Sequence, residues 1–298
     1  MFKSGFIGII GRPNVGKSTL LNMIIGEEIA IATHKPQTTR NRIMGIKNRE
    51  DGQLIFLDTP GIHKPVSLLN RHMVDAALNA FGDSELLLMV VEANAGCRDD
   101  DQSVLHSLKD VKIPVILAVN KIDLVEKTTL LPFIDRFSTL FPFAAIIPLS
   151  ALSGAGVNIL LDEVWKLLPE GPQYFPEDMV TDRTERFIAA EIIREKVILL
   201  TRQEIPYAMA VVVDAFKEIE KNNLLRIQAS IIVEKDSQKG ILIGRKGTML
   251  KRIGTEARLS LEKFFASRVY LEMFVKVRKD WTNDARALKE LGYGKKSY

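Results

Sequence analysis

The sequence predicts an α/β domain on a mostly parallel six-stranded sheet with helices on both faces, followed by a smaller α+β domain. Three observations carry this expectation. Through residues 1–172, apolar strand-like runs alternate with segments of helical period, the pattern of a parallel sheet wound by crossover helices. Between Leu168 and Asp178 the prolines Pro169, Pro172 and Pro176 interrupt that pattern, and residues 173–182 read as a linker. Beyond it the order becomes helix, two strands rich in Val and Ile, helices around a glycine loop, and a last strand. At 298 residues the chain is long enough for about two cores, expected here over 1–172 and 183–298.

The first strand is expected at 6–10, with a helix opening at 18–25. Residues 42–47, 53–57, 86–91, 115–119 and 145–148 supply the other strands, each a short apolar run bounded by polar or turn residues. In the second half, 186–201 has the length and spacing of an amphipathic helix, 207–216 and 225–234 read as strands, and 248–266 as a helix. A strand at 269–277 and a short helix at 285–291 complete the chain. Ligands of such parallel sheets collect at the carboxyl ends of the strands. Polar motifs follow four of the strands at just that end.

Composition bounds the class. With 46% hydrophobic and 26% charged residues the chain fits an ordinary globular protein rather than a disordered or fibrous one. The single cysteine, Cys97, excludes an intrachain disulfide and a Cys-based zinc cluster, which suits a reducing compartment. Met1-Phe2-Lys3-Ser4 runs directly into the first strand and no apolar run approaches a membrane span, so a cytoplasmic protein is expected. Charge is uneven: residues 1–172 carry a net −2, residues 173–298 a net +6, and the stretch 235–279 a net +8. The second half is the part suited to a polyanion, nucleic acid or anionic lipid.

The run Gly11-Arg12-Pro13-Asn14-Val15-Gly16-Lys17-Ser18-Thr19 follows the first strand and opens a helix. Its backbone N–H groups suit the α and β phosphates of a nucleotide, Lys17 reaches the β and γ phosphates, and Ser18 offers a hydroxyl to Mg2+. That pattern fits ATP and GTP alike. Asn120-Lys121-Ile122-Asp123 separates them, because the Asp123 carboxylate accepts from the adjacent N1 and N2 donors of guanine, an edge adenine does not present. Asn120 steadies the loop and the stem of Lys121 covers the flat base. Ser150-Ala151-Leu152 supplies backbone N–H groups to guanine O6.

Asp58-Thr59-Pro60-Gly61 ends the third strand. Asp58 holds Mg2+ through a water, and the Gly61 N–H meets the γ-phosphate, so the following segment changes shape on hydrolysis. Thr33-His34-Lys35-Pro36-Gln37-Thr38-Thr39-Arg40 reads as the other switch, with Thr39 or its neighbour Thr38 ligating Mg2+. Lys17, Thr39 and Gly61 are the residues expected nearest the chemistry. The position after Gly61 is Ile62, whose side chain cannot orient a water, so unaided hydrolysis is expected to be slow. Neighbouring His63, a single side chain in a polar loop, is given no catalytic part. Asn14 is expected instead to hold K+ against the phosphates, in the electrostatic role of an arginine finger.

Gly244-Arg245-Lys246-Gly247 lies in the most basic stretch, between Gly240-Ile241-Leu242-Ile243 and a helix. This is the G-x-x-G loop of a KH module, where glycines admit a nucleic-acid backbone and the basic pair meets its phosphates. Lys235, Lys239, Lys251 and Arg252 are candidates for further backbone contacts, weakened by salt.

Taken in order, these motifs, with Asp236-Ser237-Gln238-Lys239-Gly240 before the last loop, resemble the Era family of bacterial GTPases, in the Era/TrmE branch of P-loop GTPases. The likeness spans nearly the whole chain, including Arg186-Phe187, Glu191-Ile192-Ile193-Arg194-Glu195-Lys196 and Ile205-Pro206-Tyr207. It implies a type II KH domain, hydrolysis of GTP to GDP with Mg2+, and binding of the single-stranded 3′ end of 16S ribosomal RNA, preferentially in the GTP state. It also implies a part in assembly of the 30S ribosomal subunit, peripheral contact with the inner face of the membrane, and a monomer. Thr248 stands where relatives often carry a further glycine. Two other classes compete with this reading: a metabolic or tRNA-modifying GTPase, against which stands the lack of a second catalytic constellation, and a GTPase whose basic half docks to membrane or protein rather than RNA.

Overall fold

The computed structural model describes residues 2–219 and 223–293. It divides into two compact units, Met1–Pro65 with Met73–Asp182, and Val66–His72 with Arg183–Tyr298. Residues 294–298 of the expected second domain lie outside the described residues.

In the first unit, β1 (Lys3–Ile10), β2 (Ile43–Arg49), β3 (Gly52–Asp58), β4 (Leu86–Glu92), β5 (Val115–Asn120) and β6 (Ala145–Pro148) form one sheet, ordered β2-β3-β1-β4-β5-β6. All neighbours are parallel except β2, which runs antiparallel to β3. Only Glu50 and Asp51 separate these two strands, too few residues for a parallel crossover, so the connection is a hairpin. Every residue of β3, β4 and β5 is buried, as a sheet covered on both faces requires. The helices are α1 (Lys17–Ile25), α2 (Leu68–Gly82), of which the residues from Met73 on belong to this unit, α3 (Asp99–Ser107), α4 (Lys127–Leu140) and α5 (Val157–Leu167). First in sequence, β1 sits mid-sheet between β3 and β4. The chain thus winds away from it on both sides, and a ligand crevice opens beyond its carboxyl end.

The segment 173–182, read from sequence as a linker, is a strap bound to the β2–β3 edge of this unit. Gln53 Oε1 accepts from the Tyr174 and Phe175 N–H groups, and its Nε2 donates to Phe175 O. Asn48 Nδ2 donates to Glu177 O, Ile46 N to Val180 O, and Thr181 Oγ1 to Met44 O. The exposed edge of β2 offers unpaired backbone groups that the strap satisfies. Prolines mark the irregular course of the strap but say nothing of what it pairs with.

The second unit contains α6 (Glu185–Leu200), β7 (Met209–Ile219), β8 (Leu224–Val233), α7 (Asp236–Ile243), α8 (Thr248–Phe265), β9 (Arg268–Val277) and α9 (Ala285–Glu290). Its sheet is ordered β7-β8-β9, antiparallel then parallel. Alternate residues of β8, Ile227, Ala229, Ile231 and Val233, meet Ile193 and Val197 of α6 and Ile253, Ala257 and Leu261 of α8 in one core. β7 starts two residues later than its apolar pattern suggests, because the N–H groups of Tyr207 and Ala208 turn back to Glu204 O. The apolar run 240–243 is the end of α7, whose start is fixed by Gln238 Oε1 accepting from Glu234 N at 2.9 Å and Lys235 N at 3.1 Å. Among the described residues no helix is long and apolar enough to cross a membrane.

Candidate functional site

The first site lies where β1, β3, β4 and β5 end. The loop from Gly11 to Gly16 leads into α1, whose first residues are Lys17 and Ser18. Gly16 has φ +98°, and a Cβ there would lie 2.2 Å from Asn120 Nδ2, so the turn and the neighbouring loop both demand glycine. Lys17 is buried and its ammonium donates to Gly11 O at 3.0 Å and Arg12 O at 2.9 Å. Burial, opposed by the Asp58 charge and reinforced by Arg12, pulls it from 10.5 to about 8. An ammonium so destabilised gains from any phosphate that restores its charge partner.

The three expected metal ligands converge. Ser18 Oγ donates to Asp58 Oδ2 at 2.6 Å and lies 2.8 Å from Thr39 Oγ1. Asp58 is pushed by burial from 3.8 to about 6, against the pull of Lys17 and of hydrogen bonds from Ser18, Thr39 and the Thr59 backbone. Among the described residues its Oδ1 is buried without a hydrogen-bond partner. An orphaned carboxylate oxygen beside two hydroxyls is a set of hard oxygen donors that fits Mg2+. Thr38 does not join them: its Oγ1 donates to Lys35 O at 2.8 Å and contacts Thr33 Oγ1 at 2.7 Å. Thr39 is the member of the pair whose hydroxyl reaches Ser18 and Asp58.

Thr59 and Pro60 are buried, and Thr59 Oγ1 donates to Ile9 O at 2.7 Å. Ile62 N donates to Gly11 O at 3.2 Å, holding the segment after Gly61 against the phosphate loop. The Ile62 side chain packs into the core with Ile10, Met89 and Val91 and carries no polar group that could orient a water. His63 links the two expected switches. Its Nδ1 meets Gly61 O at 2.7 Å and its Nε2 meets Gln37 Nε2 at 3.1 Å. Asn14 Nδ2 donates to His34 O at 2.8 Å, so that side chain also faces the first switch.

On the base side, Asn120 Nδ2 donates to Val15 O at 2.8 Å, while its Oδ1 accepts from Lys121 N at 2.7 Å and Ala151 N at 2.9 Å. One buried amide thereby joins three motifs that lie far apart in sequence. Asp123 is exposed in the short turn Ile122–Leu124, open to a ligand. The expected trio of N–H donors is reduced: Ser150 N donates to Ala155 O and Ala151 N to Asn120, which leaves the exposed Leu152 as the forward position of that loop. The Ser150 N–H closes the turn before α5.

Two acidic residues escape the sequence reading. Glu92, at the end of β4, pairs with both Arg12 and Lys121. Burial raises its carboxyl, but the hydrogen bonds and charges of Lys121 and Arg12 outweigh it and the net shift is downward. Asp101 receives Arg12 Nε at 3.3 Å and caps α3 by accepting from Arg98 N. A charged residue ending a buried strand was the available signal for Glu92.

The second site is the turn between α7 and α8. Gly244 has φ +72°, and a Cβ there would lie 2.8 Å from Met249 N. Lys246 also adopts positive φ, and Gly247 caps α8 at φ +79° with open space beside it. Arg245, Lys246, Lys235, Lys251, Arg252 and Gly240 are exposed; Lys239 and Ile243 are half-buried. Arg245 and Lys246 lie in the glycine turn itself, Lys251 and Arg252 in the first turns of α8, and Lys239 and Lys235 back along α7; a basic glycine turn at a helix N-terminus is a geometry that receives phosphates.

Residues 6–121 match the family described as 50S ribosome-binding GTPase, and residues 204–282 match the KH domain family. The chain is 64% identical over 293 residues to GTPase Era of Syntrophus aciditrophicus, covering 98% of this chain and 96% of that one. It is 56% identical over 292 residues to GTPase Era of Geobacter metallireducens, covering 98% of each. A crystal structure of Era in complex with MgGDPNP and nucleotides 1506–1542 of 16S ribosomal RNA superposes with TM-score 0.96 at 41% identity, over 99% of this chain and 100% of that one. A point variant of Aquifex aeolicus Era bound to GDP·AlF4− matches with TM-score 0.95, also at 41% identity over 99% and 100% of the two chains.

Proposed function

This chain belongs to the Era family of GTPases, and we propose that it works as a GTP-gated clamp on the 3′ end of 16S ribosomal RNA during assembly of the 30S subunit in the cytoplasm. The observation that carries the reading is one chain holding both a phosphate loop tied by Asn120 to a guanine-selective loop and a basic Gly244-Arg245-Lys246-Gly247 turn. Lys17 leaves Gly11 O and Arg12 O for the β and γ phosphates, the N–H groups of the phosphate loop cradle them, and Asp123 selects guanine. Ser18 and Thr39 would ligate Mg2+ and Asp58 would hold it through a water; bound there, the ion neutralises charge developing on the phosphates. The Gly61 N–H senses the γ-phosphate, which breaks the Ile62–Gly11 hydrogen bond and reorders the switch. That a solved Era binds nucleotides 1506–1542 of 16S ribosomal RNA together with MgGDPNP supports the same pairing of ligands here.

The test is affinity for a short single-stranded RNA from the small-subunit 3′ end, with GDP and with a non-hydrolysable GTP analogue, in wild type and Gly247→Asp. Open space beside Gly247 lets a carboxylate enter without a clash; at φ +79° the side chain costs about 1–2 kcal/mol of stability, and its charge repels the arriving phosphates. Binding should strengthen with the analogue by the few kcal/mol that such a switch requires, fall with salt, and disappear in Gly247→Asp. Binding to anionic vesicles but not RNA would move the basic surface to the membrane, and binding that ignores the nucleotide would remove the gate.

Because Ile62 is turned into the core, hydrolysis needs another electrostatic aid. Asn14 would help hold K+ against the phosphates. Turnover is then expected to be about tenfold faster in K+ than in Na+, with the difference lost in Asn14→Ala. Equal rates in both salts would remove the idea.

A further inference from the structure

Glu92 ends β4 directly beside Asn120 in the parallel register with β5. It is buried, and its two oxygens are divided: Oε2 takes Arg12 Nη2 and Oε1 takes Lys121 Nζ. Arg12 also reaches Asp101, and the Lys121 ammonium also donates to Asn14 O at 2.9 Å. Two cations and two carboxylates balance, so the cluster has no surplus charge to draw an anion from solution. It is built as a brace. The Lys121 backbone is in the left-handed region at φ +65°, its N–H is held by Asn120 Oδ1 and its ammonium by Glu92 and Asn14 O, so the methylene stem is fixed at both ends. A surface meant to lie flat against a base gains from that restraint, because a free lysine samples many rotamers.

We propose that Glu92 is a positioning residue for guanine nucleotides, fixing the Lys121 stem and joining the base loop to the phosphate loop. The proposal rests on the reading of Asn120-Lys121-Ile122-Asp123 as the guanine loop. Without the Glu92 charge, Lys121 keeps one neutral carbonyl and its stem loosens. Arg12 keeps Asp101, so the phosphate loop retains an anchor. The loss therefore falls on nucleotide affinity and leaves the chemistry at the γ-phosphate intact.

Titration with a fluorescent GDP analogue, beside steady-state GTP hydrolysis, tests this in wild type, Glu92→Gln, Lys121→Met and the double variant. Glu92→Gln should raise Kd and KM about tenfold, the scale of one charge-assisted hydrogen bond, with kcat within about twofold. In the Lys121→Met background the same substitution should change Kd by less than about twofold, because the two residues act through one contact. Should Glu92→Gln fail to fold, Glu92→Asp keeps the charge but cannot reach both cations, and about a threefold rise in Kd is expected, again absent with Lys121→Met. Full additivity, an unchanged Kd, or fewer binding-competent molecules at unchanged Kd would each overturn the proposal, the last by assigning Glu92 to folding alone. A wild-type chain that binds no GDP would instead defeat the reading of the guanine loop itself.

Discussion

Gly16→Ala is expected to weaken GDP binding at least about a hundredfold, because the substitution damages two loops at once. A non-glycine residue at φ +98° costs about 1–2 kcal/mol. The added Cβ would also sit 2.2 Å from Asn120 Nδ2, the end of a side chain that three hydrogen bonds hold in place. Asn120 must move, and each bond it gives up costs about 1 kcal/mol. The strain lowers stability, whereas the three Asn120 bonds, about 3 kcal/mol together, hold the loops that meet the nucleotide, and their loss is the hundredfold. Gly26→Ala is the control. Gly26 caps the other end of α1 at φ +88° with nothing within 4 Å, so the same backbone strain should lower stability by about 1 kcal/mol and leave GDP affinity unchanged. Calorimetric titration of both variants decides it; tenfold or weaker loss in Gly16→Ala would mean that Asn120 and the phosphate loop are not coupled as their contacts indicate.

The same pair of residues marks how far the sequence could be read. Gly16 and Asn120 each stand in a motif, and the alternation of strands puts both motifs at the carboxyl end of one sheet, so fold class and site location were legible. Their contact was not, because it depends on the strand order β1-β4-β5, which no local pattern states. Glu92 was missed for a related reason: an acid after an apolar strand looks like any strand end until Arg12 and Lys121 arrive from elsewhere in the chain. The choice between Thr38 and Thr39 has no sequence signal, since the two are identical and adjacent; the Thr38 bond to Lys35 O and the Thr39 contacts with Ser18 and Asp58 separate them. The strap over 173–182 reads as a linker because prolines report only that a segment is irregular. Its partner, the free edge of β2, exists because a two-residue hairpin puts that strand at the margin of the sheet.

Asp58→Asn is expected to make the nucleotide-free protein more stable at pH 7.5 while removing the Mg2+ dependence of nucleotide binding. Folding raises the Asp58 carboxyl from 3.8 to about 6, so the folded state holds that proton more tightly than the unfolded chain. The stability so gained is complete below pH 3.8 and is lost as pH rises through 6. At neutral pH the folded protein therefore carries a dehydrated carboxylate at a cost on the order of 3 kcal/mol. Lys17 works in the opposite direction. Its folded value is lowered from 10.5 to about 8, so stability at this residue improves only as pH rises from 8 towards 10.5. Both groups are charged and buried at neutral pH, and a metal–nucleotide complex would add counter-charge beyond what each gives the other. An amide at position 58 still accepts from the Ser18 and Thr39 hydroxyls but carries no charge, although Lys17 loses a partner. Urea unfolding without nucleotide should thus show the Asp58→Asn protein more stable by about 1–2 kcal/mol at pH 7.5, with the gap closing between pH 6 and 4. Added Mg2+ and GTP should reverse the order, because stabilisation by a ligand grows with its affinity and the variant has lost the carboxylate that would hold the ion. Equal stability of the two proteins without nucleotide at pH 7.5 would show that burial does not strain Asp58, and an undiminished response to Mg2+ would take the metal away from this residue.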